Sequence, residues 1–238
     1  MKFLQSRFEE YIAANEKYNL HAELEGIYNY KTPNLKTKIN LLSHLLNDDA
    51  FNKVIIFART KENANNVFKF LERKLVDKVR IIHGNKGQNS RINAFNDFRN
   101  DKVRVLVTTD VSARGLDINM VSHVINFDVP RVYEEYVHRI GRTGRAEQSG
   151  IAISFVNEVE EIHMKEIEKI ISENIEKRSL PKDVALPPTG KEELKEIALE
   201  IDKIKRAKNP EFKGAFHEKK KKIKPAKPKT RNKRKRRR

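Results

Sequence analysis

VRVLVTTDVSARGLDI, residues 103 to 118, runs an apolar Val- and Leu-rich segment directly into a polar, glycine-containing loop. Continuous rather than alternating apolar character is the mark of a strand buried on both faces, as in a parallel sheet. Four other segments share it: VIIF (54–57), VRIIH (79–83), HVINF (123–127) and IAISFV (151–156). Between them the apolar period lengthens to that of a helix. Ala64, Val67, Phe68 and Leu71 recur at spacings of three to four within 61–75, as do Ile92, Phe95 and Phe98 within 90–98. Strands alternating with helices predict a right-handed α/β wrap. Ligands then bind at the loops leaving the carboxyl ends of the strands, and TTDVSARGLDI is such a loop.

Helices are also expected over 34–46, with Leu35, Ile39, Leu42 and Leu46 on one side, and over 158–173. The break SLPKDVALPPTG follows, then a polar helix from Lys191 to about Arg206. Residues 1–25 offer only Phe3, Phe8, Tyr11 and Ile12 as a short amphipathic face without an evident partner, and are assigned to an N-terminal segment or linker. No internal repeat is present.

Composition narrows the class. The 238 residues suffice for one good core with appendages, and the absence of cysteine excludes a disulfide framework or thiolate metal site. The opening residues carry acids and lack the apolar stretch of a secretory signal. No run approaches the roughly 18 apolar residues of a membrane span. An intracellular, cytoplasmic protein with no membrane partner is expected. The net charge of +17 is unevenly placed: residues 213–238 hold 15 Lys or Arg against one Glu, leaving +3 for the first 212. The basicity belongs to a tail with too few apolar residues to bury a core, so a disordered, phosphate-seeking segment is expected there.

A second polar stretch carries chemistry. HRIGRTGR (138–145) sets three arginines around two glycines. The glycines allow tight turning and close approach of a ligand, and each guanidinium offers a planar fork matched to phosphate oxygens. Arg142 and Arg145, three apart, would share one side of a helical turn. The plainer alternative is a solvated basic turn pairing with Glu134, Glu135 or Glu147. In the loop after VRVLV, Thr109 can donate to a phosphate oxygen and Asp117 can accept from a ribose hydroxyl; alternatively Thr109 and Asp110 merely cap the next turn.

FART (57–60), HGNKGQNSR (83–91), TTDVSARGLD (108–117) and YVHRIGRTGR (136–145) resemble, in order and spacing, the second RecA-like domain of DEAD-box RNA helicases. The resemblance covers about residues 34–158 and implies a RecA-like three-layer α/β sandwich with a mostly parallel sheet. It implies ATP as cofactor, bound between two RecA-like domains, with Arg142 and Arg145 as arginine fingers reaching the γ-phosphate. Asp117 matches the residue that accepts from the ribose, and Gly115 belongs to the same nucleotide-contacting loop. His138 matches a residue coupling nucleotide state to domain closure, while Arg139 is expected to brace the site from inside. Arg91, Thr109, Gly84 and Asp110 match the RNA-binding positions, which contact the sugar-phosphate backbone and so do not read sequence.

A complete enzyme of this kind also needs GxxxxGK[ST] and DEAD motifs. The only Gly-Lys pair, Gly190-Lys191, is followed by Glu192 and preceded at the fifth position by Ala185; the acidic NDDAF (47–51) follows a helix rather than a strand. The expectation is therefore a chain that supplies fingers but not the cradle for Mg²⁺-ATP, inactive alone, with an amino-terminal RecA-like domain in cis or in trans holding the magnesium. Its expected organisation is a linker to residue 25, the RecA-like domain over 26–175, a helical extension over 176–212 and the basic tail over 213–238 as an RNA tether. Two rival readings are a KH-type module, for which Gly141–Gly144 is formally a GXXG loop, and a basic RNA-binding or ribosome-associated protein with a degenerate helicase body. The KH reading requires a helix after the second glycine, where the sequence instead offers AEQSG and a strand.

Overall fold

The computed structural model describes residues 24–113, 118, 121–144, 150–171 and 174–212. The expected N-terminal helical face and the basic tail lie outside them. Seven strands, β1 (Leu24–Lys31), β2 (Val54–Phe57), β3 (Val79–Ile82), β4 (Val105–Thr108), β5 (His123–Asn126), β6 (Gly150–Val156) and β7 (Glu176–Arg178), form one sheet in the order β3-β4-β2-β5-β6-β1-β7. Every pairing is parallel. Between them run α1 (Leu35–Leu45), α2 (Lys61–Lys74), α3 (Gln88–Arg99), the single turn α4 (Asp110–Ala113), α5 (Tyr133–Ile140) and α6 (Glu158–Ile171), with α7 (Lys191–Lys208) after the sheet. This is the RecA-like α/β sandwich that the resemblance implied.

The pleat explains the three layers. Along β2, Val54 and Ile56 join one core with Leu41, Leu42, Ala64, Val67 and Leu71 of α1 and α2, whereas Ile55 and Phe57 join the other with residues of α3, α5 and α6. All four residues of β2, β4 and β5 are buried. Strands covered on both faces need no polar alternation, which is why they read as unbroken apolar runs.

Two strands lie outside those runs. β1 begins at Leu24 and alternates in burial, with Gly26 and Asn29 interrupting its apolar residues. β7 is three exposed charged residues at the sheet edge, so the stretch expected to open a helical extension instead adds a strand. The proline-rich break after it folds back on α1. Val184 is buried in the core, Asn34 Nδ2 donates to the Pro187 carbonyl at 2.8 Å, Asn40 Nδ2 to the Ala185 carbonyl at 2.9 Å, and Glu193 Oε1 accepts from the Leu35 N–H at 2.7 Å. The chain divides into two compact units after Ile197. In the second, the described residues are the rest of α7 and the segment to Phe212, whose ring centroid lies 5.5 Å from the Lys205 ammonium. Among the described residues no helix is long and apolar enough to cross a membrane.

One buried ionic cluster fastens the first unit. Lys38 of α1 lies 2.8 Å from Glu160 Oε2 and 3.2 Å from Asp128 Oδ1, and all three side chains are at most 5% exposed. Burial opposes the Lys38 charge, yet Glu160 and Asp128 outweigh it and hold its pKa above the ordinary lysine value. Burial also opposes ionisation of Asp128, but Lys38, the Asn63 amide and the Arg59 N–H bring its carboxyl below the usual range. For Glu160 burial prevails and its carboxyl is raised. Removing one member of such a cluster strands the others, which costs about 3–5 kcal/mol. Lys38→Met is therefore expected to lower unfolding stability by about that amount in urea titrations at neutral pH. The depressed Asp128 carboxyl contributes stability above about pH 4 that is lost as the pH falls through its folded value, whereas the raised Glu160 has the opposite sign. A Lys38→Met protein as stable as the parent would contradict this.

Candidate functional site

The carboxyl ends of β3, β4, β2 and β5 lie side by side, and the loops leaving them hold most of the described motif residues. Arg139 organises this edge. It sits one position from the end of α5 and is 1% exposed. Its Nε and Nη2 donate to the two oxygens of Asp110 at 2.6 and 2.7 Å. Its Nη1 donates to Asn126 Oδ1 at 3.1 Å and to the Asp128 carbonyl at 2.6 Å, and its guanidinium lies 5.2 Å from the Phe57 ring centroid. One side chain thus ties together the loop after β4, the end of β5 and its loop, and the end of β2. Only a planar fork can hold a carboxylate in two bonds while reaching two further acceptors. The expected bracing role is the observed one.

Past Arg139 the helix stops. Gly141 N–H donates to Val137 at 2.9 Å, and Arg142 and Thr143 close tighter turns on Arg139 and Ile140, both at 3.1 Å. The buried Thr143 hydroxyl donates to the Val121 carbonyl, and its backbone bridges to Val121. Gly144 has φ of 70°, a left-handed value that disfavours any residue with a Cβ. The start of β6 presses on the same turn: a Cβ on Gly150 would fall 1.8 Å from Thr143 Oγ1. Arg142 therefore projects from a turn pinned at both ends rather than from a helix face. The shared helical turn expected for Arg142 and Arg145 does not form at Arg142, because α5 ends at Ile140. Arg145 itself lies outside the described residues, as do Gly115 and Asp117.

Two concavities flank Arg139. Arg142, the exposed His138, Glu135, Asp110 and Phe57 line the smaller, of about 190 Å³. The larger is an open groove of about 610 Å³, lined among others by Gly84, Thr109, Lys61, Arg59 and Arg131. Asp110, Glu135 and Arg139 belong to both. Thr109 is buried with its hydroxyl 3.3 Å from Ser112 Oγ, and its carbonyl accepts the N–H groups of Ser112 and Ala113. Both Asp110 oxygens are engaged by Arg139, so its carboxylate is turned to the internal network. Arg91 is half-buried in the first turn of α3, with Nη1 3.3 Å from Gln88 Oε1, and is not among the groove's lining residues.

Residues that sequence reasoning passed over complete the groove. Lys61 Nζ donates to Asn85 Oδ1 at 2.6 Å beside Gly84. Burial, then Lys86 and Lys61, lower the pKa of His83, so its ring is neutral at pH 7. The neutral ring suits both its contacts, Nδ1 accepting the Asn85 N–H at 3.3 Å and Nε2 meeting Asn65 Oδ1 at 3.1 Å. The sequence signal for Arg131 was the DVPR stretch directly after a buried strand.

Arg139→Lys is expected to keep the charge but lose the fork. A single ammonium cannot hold both Asp110 oxygens together with Asn126 and the Asp128 carbonyl, so stability should fall by about 2–3 kcal/mol in urea unfolding. Retention of the parent midpoint would show that the fork is dispensable.

Comparison with known proteins agrees with this geometry. A helicase conserved C-terminal domain family matches residues 37–147. The ATP-dependent RNA helicase RhlB of Shewanella frigidimarina is 41% identical over 162 residues, covering 67% of this chain and 37% of the relative. The chain spans 36–40% of the length of the curated RhlB relatives it matches. Escherichia coli DEAD-box protein SrmB, solved bound to regulator of ribonuclease activity A, superposes with a TM-score of 0.62 at 35% identity, over 69% of this chain and 98% of that one. Saccharomyces cerevisiae Dbp5 bound to RNA and ADP BeF3 gives 0.60 at 32% identity, over 66% and 42%. With most of the described motif residues on one sheet edge and a structural relative covered almost end to end, the chain belongs to the DEAD-box RNA helicase family and carries its C-terminal helicase domain.

Proposed function

We propose that this domain forms one wall of an ATP-driven RNA-remodelling site: it supplies cations to a nucleotide held by a facing RecA-like domain, in cis or in trans, and a groove for the RNA backbone. The observation that carries the reading is the small cavity at Arg142. At about 190 Å³ it is smaller than the roughly 300–1,000 Å³ of a complete small-molecule site. It suits the terminal phosphate of a nucleotide presented from outside. Of its two lining acids, Asp110 is already neutralised by Arg139, which leaves Glu135 as the one carboxylate beside Arg142 for an incoming triphosphate to meet.

In this reading Arg142 and Arg145 act as fingers, placing positive charge where negative charge develops in phosphoryl transfer. Asp117 and Gly115 hold the ribose side of the nucleotide, and His138, exposed at the cavity rim, meets the facing domain as it closes. Magnesium-bound ATP supplies the phosphoryl group to be transferred, and the facing domain cradles its phosphates and metal. Thr109, Gly84 and Arg91 contact the sugar-phosphate backbone, and the tail over 213–238 raises local RNA concentration. The supporting relatives are an ATP-dependent RNA helicase and a Dbp5 solved with RNA and ADP BeF3.

The test is RNA-stimulated phosphate release after mixing the chain with the amino-terminal RecA-like domain of a DEAD-box protein. Activity above either component alone is expected, and Arg142→Ala should reduce it by about 10³–10⁵, the worth of comparable fingers. Arg142→Ala at parental activity would overturn the finger assignment. Deleting residues 213–238 should flatten the salt dependence of RNA affinity, because each phosphate neutralised on a single strand contributes about 0.7 to the log–log slope. An unchanged slope would remove the tether.

A further inference from the structure

The RNA groove has a far end, at the loop after β5, that lies outside the four helicase motifs. Residues just past four strand ends contribute to its lining: Gly84 after β3, Thr109 after β4, Arg59 and Lys61 after β2, and Arg131 after β5. These four strands are consecutive neighbours in the sheet. Adjacent strands lie about 4.8 Å apart, so the four loop bases span about 14 Å along the carboxyl edge. Gly84 and Thr109 account for the first two of these positions. The remaining two are cationic.

From this row we infer that Arg131 is a further RNA-backbone contact, which extends the bound strand across the sheet edge to the loop after β5. The inference rests on the RNA-groove reading above and adds a residue and a direction to it. Arg131 is exposed at its tip but carried on a fixed base. Three residues before it, the Asp128 carboxylate accepts from the Arg59 N–H and the Asn63 amide, both at 2.9 Å, and from Lys38 at 3.2 Å. The Asp128 carbonyl accepts from Arg139 at 2.6 Å. The next N–H, that of Val129, donates to Glu160 Oε1 at 3.3 Å, and Pro130 then fixes φ immediately before Arg131. A loop held this firmly gives up little further entropy when a ligand binds, which distinguishes it from an ordinary surface arginine. The same Asp128 carboxylate fixes the Arg59 backbone, so both sides of the far end are set by one residue.

Acids do not cancel the row. Asp110 is engaged by Arg139, which leaves Glu135 facing Arg59, Lys61 and Arg131 along the groove. A net positive edge spanning four strands matches an extended polyanion better than a single phosphate ion.

The experiment is fluorescence anisotropy of the full chain with a 5′-labelled ten-residue oligo(U) between 50 and 400 mM salt, comparing the parent with Arg131→Gln, Thr109→Val and Arg73→Gln. Arg73 is exposed on α2 away from the groove lining and controls for loss of charge alone. Arg131→Gln should reduce the log–log salt slope by about 0.7 and weaken binding about five-fold at 0.1 M salt, the expectation for one single-strand phosphate contact. Arg73→Gln should leave the slope unchanged. The inference is overturned if Arg131→Gln loses no more than Arg73→Gln. In that event a weakened Thr109→Val confines the failure to Arg131, whereas a silent Thr109→Val removes the groove reading as well.

Discussion

The guanidinium of Arg139, buried at the carboxyl edge of the sheet, is the contact on which the site depends. Its acceptors come from three chain segments, Asp110 at the start of α4, Asn126 at the end of β5 and Asp128 in the following loop. A buried cation is tolerated only when its donors are matched, and here four acceptor atoms take the bonds. The arrangement fixes where α5 ends, hence where the turn at Gly141–Gly144 begins and where Arg142 emerges. It also neutralises Asp110, one of the two acids, with Glu135, that the two concavities share. One interaction therefore sets the geometry of this edge and removes one of its two shared acids from play.

Asp128 extends that constraint. Its carbonyl belongs to the Arg139 network and its carboxylate to the buried cluster of Lys38 and Glu160, which joins α1 and α6 to the same loop. The turn that carries Arg142 and the larger groove consequently hang from neighbouring atoms of one residue. Parallel α/β sheets place their ligands where strands end because loops there are free to vary while strands are not. In this domain the loops themselves are tied down, which suits a surface that must meet phosphate oxygens at defined positions.

Much of this was legible in the sequence. The five unbroken apolar runs became β2 to β6 because burial on both faces removes polar alternation. The internal role of Arg139 followed from the motif resemblance, and Thr109 and Gly84, named by the same resemblance, both line the larger groove. What escaped has physical reasons. β7 has no apolar residue because an edge strand of three exposed charged residues is held by main-chain pairing to β1 and by the Arg178 guanidinium 3.2 Å from the Tyr28 ring centroid, and β1 interrupts its pattern with Gly26 and Asn29. The proline-rich segment after the sheet reads as a linker, yet Asn34, Asn40 and Val184 dock it on α1 through contacts more than 140 residues apart in sequence. Arg142 and Arg145 have helical spacing, but Gly141 follows the last helical residue and turns the chain away. The partners of Arg139 lie 11 to 29 residues from it, a separation that local pattern does not encode.

Amide hydrogen exchange on the parent and Arg139→Lys proteins tests the central dependence most directly. If one guanidinium holds the edge together, protection should fall jointly at residues 108–113, at 126–131 and at the turn over 140–144, while β1 and β7, at the other end of the strand order, exchange as before. Loss confined to α5, or a uniform loss across the whole domain, would contradict the account.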